Sequence, residues 1–324
     1  MKLKRTMSIL VAIGCITPQI ASSADDDATR RRTIRGWIHE LDHDRFATRQ
    51  AATQKLIEAG APVIPSVREA AGQNNPEVIL RSIDVLLRLS TEGDPESIRL
   101  AAAALVDLKS SKNRMAAREA RKALERRQSR LVAKIEELGA RVAREDGHVV
   151  SISFQNKSLK DEDLAILAEF PDVERLDFYK STIGDAGLVH LKGLTKLRRL
   201  PLGSTKVTDA GLVHLRDMTQ LTYLGLRADN ITDAGLVHLK KLTNLTGLYL
   251  GETKVTDAGL IHIRHLTKME FLRLDTMRVS DTGLIHLKDM TNLTHISVYN
   301  THITESGVRK LRDWFPNCNV DTEE

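Results

Sequence analysis

Two columns of residues able to bind metals or transfer protons recur along the C-terminal half of the chain, each with a spacing of 24 residues. Imidazole suits transition metals and carboxylate suits calcium. Each acid stands alone in its unit without Asp-x-Asp clustering, and repeated copying of one unit accounts for the histidines, so we expect neither column to hold a metal. A metal-binding or acid-sensing role for the histidines stays open, because a column of protonated imidazoles would repel itself. The columns comprise His190, His214, His238, His262 and His286, and Asp161, Asp185, Asp209, Asp233, Asp257, Asp281 and Glu305.

The acids precede a short apolar i, i+3 pattern typical of a helical turn. A carboxylate at that position caps free N–H groups and meets the positive end of the helix dipole, so we expect each acid to cap its own turn. A column of cations occupies the opposite end of the turns, where positive charge is favoured for the same reason. These cations are Lys192, Arg216, Lys240, Arg264, Lys288 and Arg312.

Motifs of catalysis are missing from the sequence. It contains no nucleophile motif, no glycine-rich phosphate loop and no zinc-ligand spacing. The stretch from Leu41 to Asp44 is better explained as a helix start than as a metal site. We therefore predict that the protein is not an enzyme and needs no cofactor.

Apolar residues recur with the same 24-residue period and define the architecture. Seven positions of the unit, followed through seven units, give 49 residues, and all are apolar. One unit cannot bury such a face alone, so the units must stack into a solenoid with a continuous core. The seven columns begin at Val149, Ile152, Phe154, Leu159, Leu164, Leu167 and Phe170, and they end at Leu293, Ile296, Val298, Ile303, Val308, Leu311 and Trp314.

The unit itself carries a family resemblance. Residues 197–212 follow the pattern Leu-x-x-Leu-x-Leu-x-x-Thr-x-Val-Thr-Asp-Ala-Gly-Leu. This pattern resembles a leucine-rich repeat of the short-helix type, whose cysteine-containing versions occur in F-box proteins, and its Thr-Asp-Ala-Gly-Leu version is similar to repeats common in exported bacterial proteins. The resemblance implies an α/β solenoid with a parallel β-sheet on the concave face and short helices on the convex face. We assign seven repeats to residues 148–314 and a C-terminal cap to residues 315–324.

The residues before the repeats show helical spacing instead. Residues 44–65, with Asp44, Arg49, Leu56, Gly60 and Pro65, resemble one unit of the HEAT or armadillo repeats. We predict an all-α HEAT-like domain over residues 33–128, and an N-terminal cap and linker over residues 129–147 that covers the open end of the solenoid core. Residues 25–32 lack an apolar pattern and are predicted to form a flexible tail.

The N-terminus has the composition of a secretory signal peptide. Lys2, Lys4 and Arg5 precede a short apolar run, and small residues end at Ala24. Loss of these three cations with residues 1–24 lowers the net charge from +5 to +2. We expect an exported protein, located in the periplasm, at the cell surface or outside the cell. Acylation of Cys15 as a lipoprotein anchor is the alternative.

The strand residues that point away from the core vary, and all four tyrosines of the chain lie among them. Aromatic and arginine side chains contribute most of the energy at protein interfaces, although tyrosine also favours exposed strands for intrinsic reasons. Gly247, between Tyr223 and Phe271, predicts a slot about 10 Å wide for a partner's side chain, given the strand spacing. We predict binding of a protein or peptide on the concave face by Arg175, Tyr179, Arg199, Tyr223, Arg227, Tyr249, Phe271, Arg273, His295 and Tyr299.

One segment of the helical region, residues 112–134, is strongly basic. Its cations could form a solvated helix face or could contact anionic lipid or glycan. We expect no contact with nucleic acid after export, and we expect a monomer. The candidates for the anionic contact are Lys112, Arg114, Arg118, Arg121, Lys122, Arg126, Arg127 and Arg130.

Overall fold

A computed structural model describes residues 24–323 of the chain, so the predicted signal peptide lies, except for its last residue, outside the described residues. The chain divides into two compact units, residues 1–127 and residues 128–324. No helix in the described part is both long and apolar enough to cross a membrane.

The first unit is helical throughout its described part. Asn75 and Asp94 cap the starts of two helices by accepting backbone N–H groups, and the prolines at 76 and 95 occupy the first helical position, which needs no N–H donor. Leu56, Leu86 and Leu105 are fully buried in its core. The HEAT-like character of this unit stays a prediction. The helices are α1 (Ala24–Glu40), α2 (Phe46–Ala59), α3 (Ile64–Ala71), α4 (Pro76–Glu92), α5 (Pro95–Lys109) and α6 (Arg114–Glu137), the last of which contains the boundary to the second unit.

Residues 25–32 form the first turns of α1 instead of the predicted flexible tail. Acidic residues at the start of a helix are stabilised by its dipole, and Asp27 forms an ion pair with Arg31 one turn later at 3.4 Å. Local charge pairing therefore supports a helix that has no apolar face over these residues.

The second unit contains a nine-stranded sheet in which the strands follow one another in sequence order. β1 and β2 are antiparallel, and all later neighbours are parallel. Each parallel step pairs residues 24 apart, as in Arg199 with Tyr223, so successive turns of the chain superpose. The predicted α/β solenoid is confirmed by this sheet. The strands are β1 (Arg141–Glu145), β2 (His148–Ser153), β3 (Arg175–Asp177), β4 (Arg199–Pro201), β5 (Tyr223–Gly225), β6 (Gly247–Tyr249), β7 (Phe271–Arg273), β8 (His295–Ser297) and β9 (Asn319–Asp321).

Short helical segments return the chain from one strand to the next. They are the 3-10 segments Asp161–Glu169, Asp185–Leu191 and Gly283–His286, the short α-helices α7 (Asp209–Leu212), α8 (Asp233–Leu236) and α9 (Asp257–Leu260), and the longer α10 (Glu305–Trp314); α7 and α8 continue as the 3-10 turns Val213–Leu215 and Val237–Leu239.

The core of this unit consists of the periodic apolar residues. Of the 49 predicted positions, all but four are buried, and the exceptions, Met218, Ile303, Val308 and Trp314, are half-buried. Three of the four lie in the last repeat, which has no following repeat to cover it. Pro201 disturbs the sheet locally: it lacks an N–H donor, and β3 pairs with β4 at only one position, where the neighbouring steps pair at three.

The aspartate column has a different role from the one its position predicts. Each aspartate binds the next repeat: Oδ1 of Asp209 accepts the N–H of Thr232 at 2.8 Å, and Oδ2 accepts the Thr232 hydroxyl at 2.6 Å. Thr232 in turn accepts the N–H of Ala234 and so caps its own helical turn. The same bonds join Asp185, Asp233, Asp257 and Asp281 to Thr208, Thr256, Ser280 and Thr304.

A glycine completes this contact between repeats. A methyl group on Gly235 would overlap Oδ1 of Asp209, and the same conflict recurs at Gly211, Gly259, Gly283 and Gly307. The Thr-Asp-Ala-Gly sequence is therefore one device: threonine caps, aspartate bonds to the next repeat, and glycine admits the aspartate of the preceding one.

Both ends of the solenoid core are covered within the second unit. Leu131, Val132 and Ile135, at the end of α6, pack into the first repeats, and β1 adds an antiparallel edge strand. At the other end, β9 pairs with β8, and Phe315 is buried beside Trp314. These segments close faces that would otherwise expose unpaired strand groups and apolar side chains.

Candidate functional site

The strand surface consists of three outward-pointing rows with a 24-residue period, which run from Ser151 to His295, from Ser153 to Ser297 and from Gln155 to Tyr299. It carries every predicted partner-binding residue. Arg175, Arg199, Phe271 and His295 are exposed, and the four tyrosines are half-buried without entering the core. Phe271, 39% exposed, lies flat against His295 with ring centroids 4.9 Å apart. The remaining predicted residues, Arg227 and Arg273, are half-buried.

A continuous cluster of aromatic rings and guanidinium groups crosses strands β4 to β7. The guanidinium of Arg199 lies 4.5 Å from the ring centroid of Tyr223. Tyr223 meets Tyr249 edge-on, with centroids 5.0 Å apart and a 73° angle between the rings. Arg273 lies over the Tyr249 ring at 5.7 Å. We call Arg199, Tyr223, Tyr249 and Arg273 the aromatic–arginine cluster; its members gain from cation–π and edge-to-face contacts.

The predicted slot at Gly247 is filled by the protein's own side chains. A Cβ on Gly247 would lie 2.9 Å from Cδ2 of Tyr223, and a Cβ on Gly225 would lie 3.4 Å from the Tyr223 hydroxyl. A Cβ on Gly251 would likewise lie 2.5 Å from Oδ2 of Asp275. The slot prediction is therefore wrong: the glycines make room for neighbouring side chains to lie flat on the sheet.

Three of the four arginines on the strand surface form ion pairs. Arg175 contacts Glu145 at 3.1 Å, Nε of Arg227 donates to Glu252 at 2.9 Å, and Nε of Arg273 donates to Asp275 at 3.0 Å. The Asp275 side chain is fully buried although the sequence places it in the outward row.

Burial changes the acidity of two tyrosines in this region. Burial, and secondarily the nearby Tyr249, raises the pKa of Tyr223 to about 12, so its hydroxyl stays neutral and can donate a hydrogen bond at physiological pH. Burial, followed by the Asp275 carboxylate, also raises the pKa of Tyr299. These tyrosines are suited to binding rather than to proton abstraction.

Sequence reasoning missed the acidic partners of these arginines. Glu145 lies on the edge strand β1, before the repeats begin. Glu252 lies in a turn position where φ is positive, outside the rows that alternation assigns to the surface. Asp275 was in a predicted row, but nothing in its spacing indicated that Arg273 would cover it.

The cations of the basic segment, residues 112–134, are exposed with one exception. Arg127 is 8% exposed, and its Nε donates to the carbonyl of Ser90 at 3.2 Å. This burial within the first unit contradicts the prediction of Arg127 as a contact for an anionic surface. Arg118 and Lys122 both contact Glu119, whereas Lys112, Arg114, Arg121, Arg126 and Arg130 are exposed.

The histidine column lies on the side of the helical turns, and all five rings are half-buried. Burial, aided by Lys240, lowers the pKa of His262, which keeps this ring neutral near pH 7. Among residues 24–323, no three His, Cys, Asp or Glu side chains come together in a group that could hold a metal ion.

No protein-family model and no curated protein matches this chain. Among solved structures, it is similar to the internalin InlF of Listeria monocytogenes, with 24% identity over 52% of this chain and 47% of that one and a TM-score of 0.43. The internalin InlC2 of the same species matches with 22% identity over 55% and 82% of the two chains and a TM-score of 0.43. A leucine-rich-repeat protein of Leptospira interrogans gives 17% identity, 48% and 45% coverage and a TM-score of 0.36. This chain thus spans about half the length of InlF, and its repeat architecture rests on its own register and buried leucines.

Proposed function

We propose that the protein is an exported, non-catalytic scaffold that binds a protein or peptide on its strand surface, which forms the concave side of the solenoid. The observation that carries this proposal is the aromatic–arginine cluster, which brings together large rigid rings and charged donors on one continuous surface. We further propose that it acts as a monomer and without a cofactor.

The composition of the cluster supports binding rather than packing. Tyrosine and arginine are enriched among the residues that dominate interface energies, because they combine a large contact area with hydrogen-bonding groups. Contacts within the cluster hold its rings in place before a partner arrives, which lowers the entropy lost on binding. The exposed stack of Phe271 on His295 extends the surface to β7 and β8, two and three strands beyond Tyr223.

A capture experiment with a matched control tests this proposal. The wild type, coupled to a photo-crosslinker, is incubated with envelope extract, and the affinity of any captured partner is measured against the triple variant Tyr223→Ala, Tyr249→Ala and Phe271→Ala. The control is Val189→Ala, Val237→Ala and Ile285→Ala, which removes exposed apolar side chains from the helical turns. We expect the first variant to weaken binding about a hundredfold or more. An affinity within twofold of the wild type would refute the proposal.

A second candidate is docking on anionic lipid or glycan through the basic segment. The exposure of Lys112, Arg114, Arg121, Arg126 and Arg130 favours it. Binding to vesicles containing phosphatidylglycerol, compared with pure phosphatidylcholine, should then fall steeply between 50 and about 300 mM salt, since charges more than a Debye length apart are screened. Binding that is absent, or equal for both vesicles, would remove this candidate.

A further inference from the structure

Arg199 differs from the other arginines of the strand surface. Arg175, Arg227 and Arg273 each form an ion pair with an acidic residue. Among the described residues, Arg199 has no carboxylate within ion-pair distance, and its guanidinium lies over the ring of Tyr223. It is also exposed, in the middle of the surface, directly paired with Arg175 on one side and Tyr223 on the other.

The contact with Tyr223 leaves the donors of Arg199 available. The guanidinium carbon lies 4.5 Å from the centroid of the Tyr223 ring, and within residues 24–323 the N–H groups of this guanidinium donate no hydrogen bond to another protein atom. A planar fork of this kind matches the two oxygens of a carboxylate. The nearby Asp177 is already engaged, since it accepts the N–H of Tyr179 at 2.9 Å.

The surroundings of Arg199 also restrict what accompanies the carboxylate. Tyr223 and Tyr249 form an angled pair of rings beside the guanidinium, and the backbone of Gly225 and Gly247 lies close to Tyr223. Such a platform offers apolar contact area next to a single unpaired positive charge. A partner segment that places an apolar side chain beside a carboxylate uses both features.

We propose that Arg199 is the anchor for a carboxylate of a bound peptide segment, and that Tyr223 and Tyr249 receive the apolar residue next to it. This inference rests on the proposed function and names the chemistry of its ligand. The carboxylate belongs either to an aspartate or glutamate side chain or to a C-terminal residue.

The test uses a random hexapeptide library, synthesised once with free C-terminal carboxyl groups and once amidated. Peptides retained by the immobilised full-length mature protein are sequenced, and the best of them are measured by fluorescence anisotropy. We expect enrichment of peptides with a carboxylate next to an apolar residue. Enrichment that survives amidation assigns the carboxylate to a side chain, and enrichment lost on amidation assigns it to the C-terminus.

Variants of single arginines then locate the contact. Arg199→Ala should weaken binding about ten- to hundredfold, as expected for loss of a charge-assisted hydrogen bond. Arg199→Lys keeps the charge without the fork and should recover only part of that loss. Arg309→Ala is the control, because Arg309 is exposed on α10 and lies outside the strand surface, and it should change affinity by less than about threefold. Unchanged unfolding midpoints for all three variants exclude loss of structure.

Two outcomes would overturn the inference. If retained peptides require Tyr223, Tyr249 and Phe271 but show neither a carboxylate preference nor sensitivity to Arg199→Ala, the strand surface binds peptides and the anchor is refuted. The role of Arg199 as a carboxylate anchor is also refuted if no peptide is retained, or if the triple alanine variant retains peptides as well as the wild type does. The capture from envelope extract then tests the proposed function separately.

Discussion

Replacing Asp229 by asparagine should stabilise the solenoid by an amount that grows between pH 5 and pH 8. Asp229 lies in the turn after β5, where the equivalent residues of four other repeats are Ser181, Thr205, Thr253 and Thr301. It is 3% exposed. Oδ1 accepts the N–H of Thr205 at 2.7 Å and its hydroxyl at 3.1 Å, while Oδ2 is buried without a hydrogen-bond partner in the described structure.

The magnitude follows from the acidity of this carboxyl. Burial raises the pKa of Asp229 from its ordinary value of 3.8 to about 7, against the opposing effect of the two bonds from Thr205. The folded state therefore holds its proton between pH 4 and 7 while the unfolded state has lost it, and stability falls as the pH rises through this window. By linkage, the destabilisation is about 2 kcal/mol at pH 5 and about 4 kcal/mol at pH 8, relative to a carboxyl that stays neutral.

Asparagine keeps an acceptor for Thr205 but cannot ionise. Its amide N–H groups replace the unpartnered Oδ2, and leaving them unsatisfied costs about 1 to 3 kcal/mol at every pH. The net gain at pH 8 is then about 1 to 3 kcal/mol, and the gain is about 2 to 3 kcal/mol smaller at pH 5. The change with pH is the decisive quantity, because the cost of the amide cancels from it.

Denaturant unfolding followed by circular dichroism at pH 5, 6, 7 and 8 measures this change. Asp217→Asn is the control: Lys241, followed by Arg216, lowers the pKa of the exposed Asp217, so it is ionised throughout this range and its replacement should give a constant difference. A difference between Asp229→Asn and the wild type that is the same at pH 5 and pH 8 would refute the reasoning.

Three further predictions concern the repeat. Gly235→Ala places a methyl group against Oδ1 of Asp209 and should lower the free energy of unfolding by about 2 kcal/mol or more, measured by denaturant titration. Gly193→Ala is the control: the space around the new methyl group is open, so the free energy of unfolding should change by less than about 0.5 kcal/mol. Ala228 has a φ of 59°, so Ala228→Asn should raise the unfolding free energy by about 0.5 to 1 kcal/mol; a decrease would show that this turn carries no strain. Truncation before Trp314 removes β9 and the buried Phe315, and light scattering should then report aggregation that the full-length chain does not show.

Periodicity predicted the fold because each apolar column reports the direction of a side chain relative to the stacked core. Leu200 and its equivalents every 24 residues are all fully buried. The exposed rows followed from the same alternation, which placed Arg199 and Tyr223 on the surface. The 24-residue period and the alternation of side chains are sufficient for such predictions, because these predictions require only that successive turns of the chain superpose.

Contacts between repeats could not be predicted in this way. The position of Asp209 favours capping of its own turn, and only the superposition of the next turn reveals that Thr232 competes for its oxygens. Gly247 is compatible with an empty slot or with room for a neighbour, and the choice depends on the rotamer of Tyr223. The burial of Arg127 depends on the carbonyl of Ser90, 37 residues away in sequence.

The bonds from each aspartate to the following threonine make the units interchangeable. Four internal units present the same carboxylate forward and the same glycine and hydroxyl backward, whereas the unit with Gly184 lacks the hydroxyl. We therefore expect the scaffold to tolerate duplication or deletion of a whole unit better than insertion or deletion of a few residues. Such a chain can vary its length in evolution while the outward residues diverge independently.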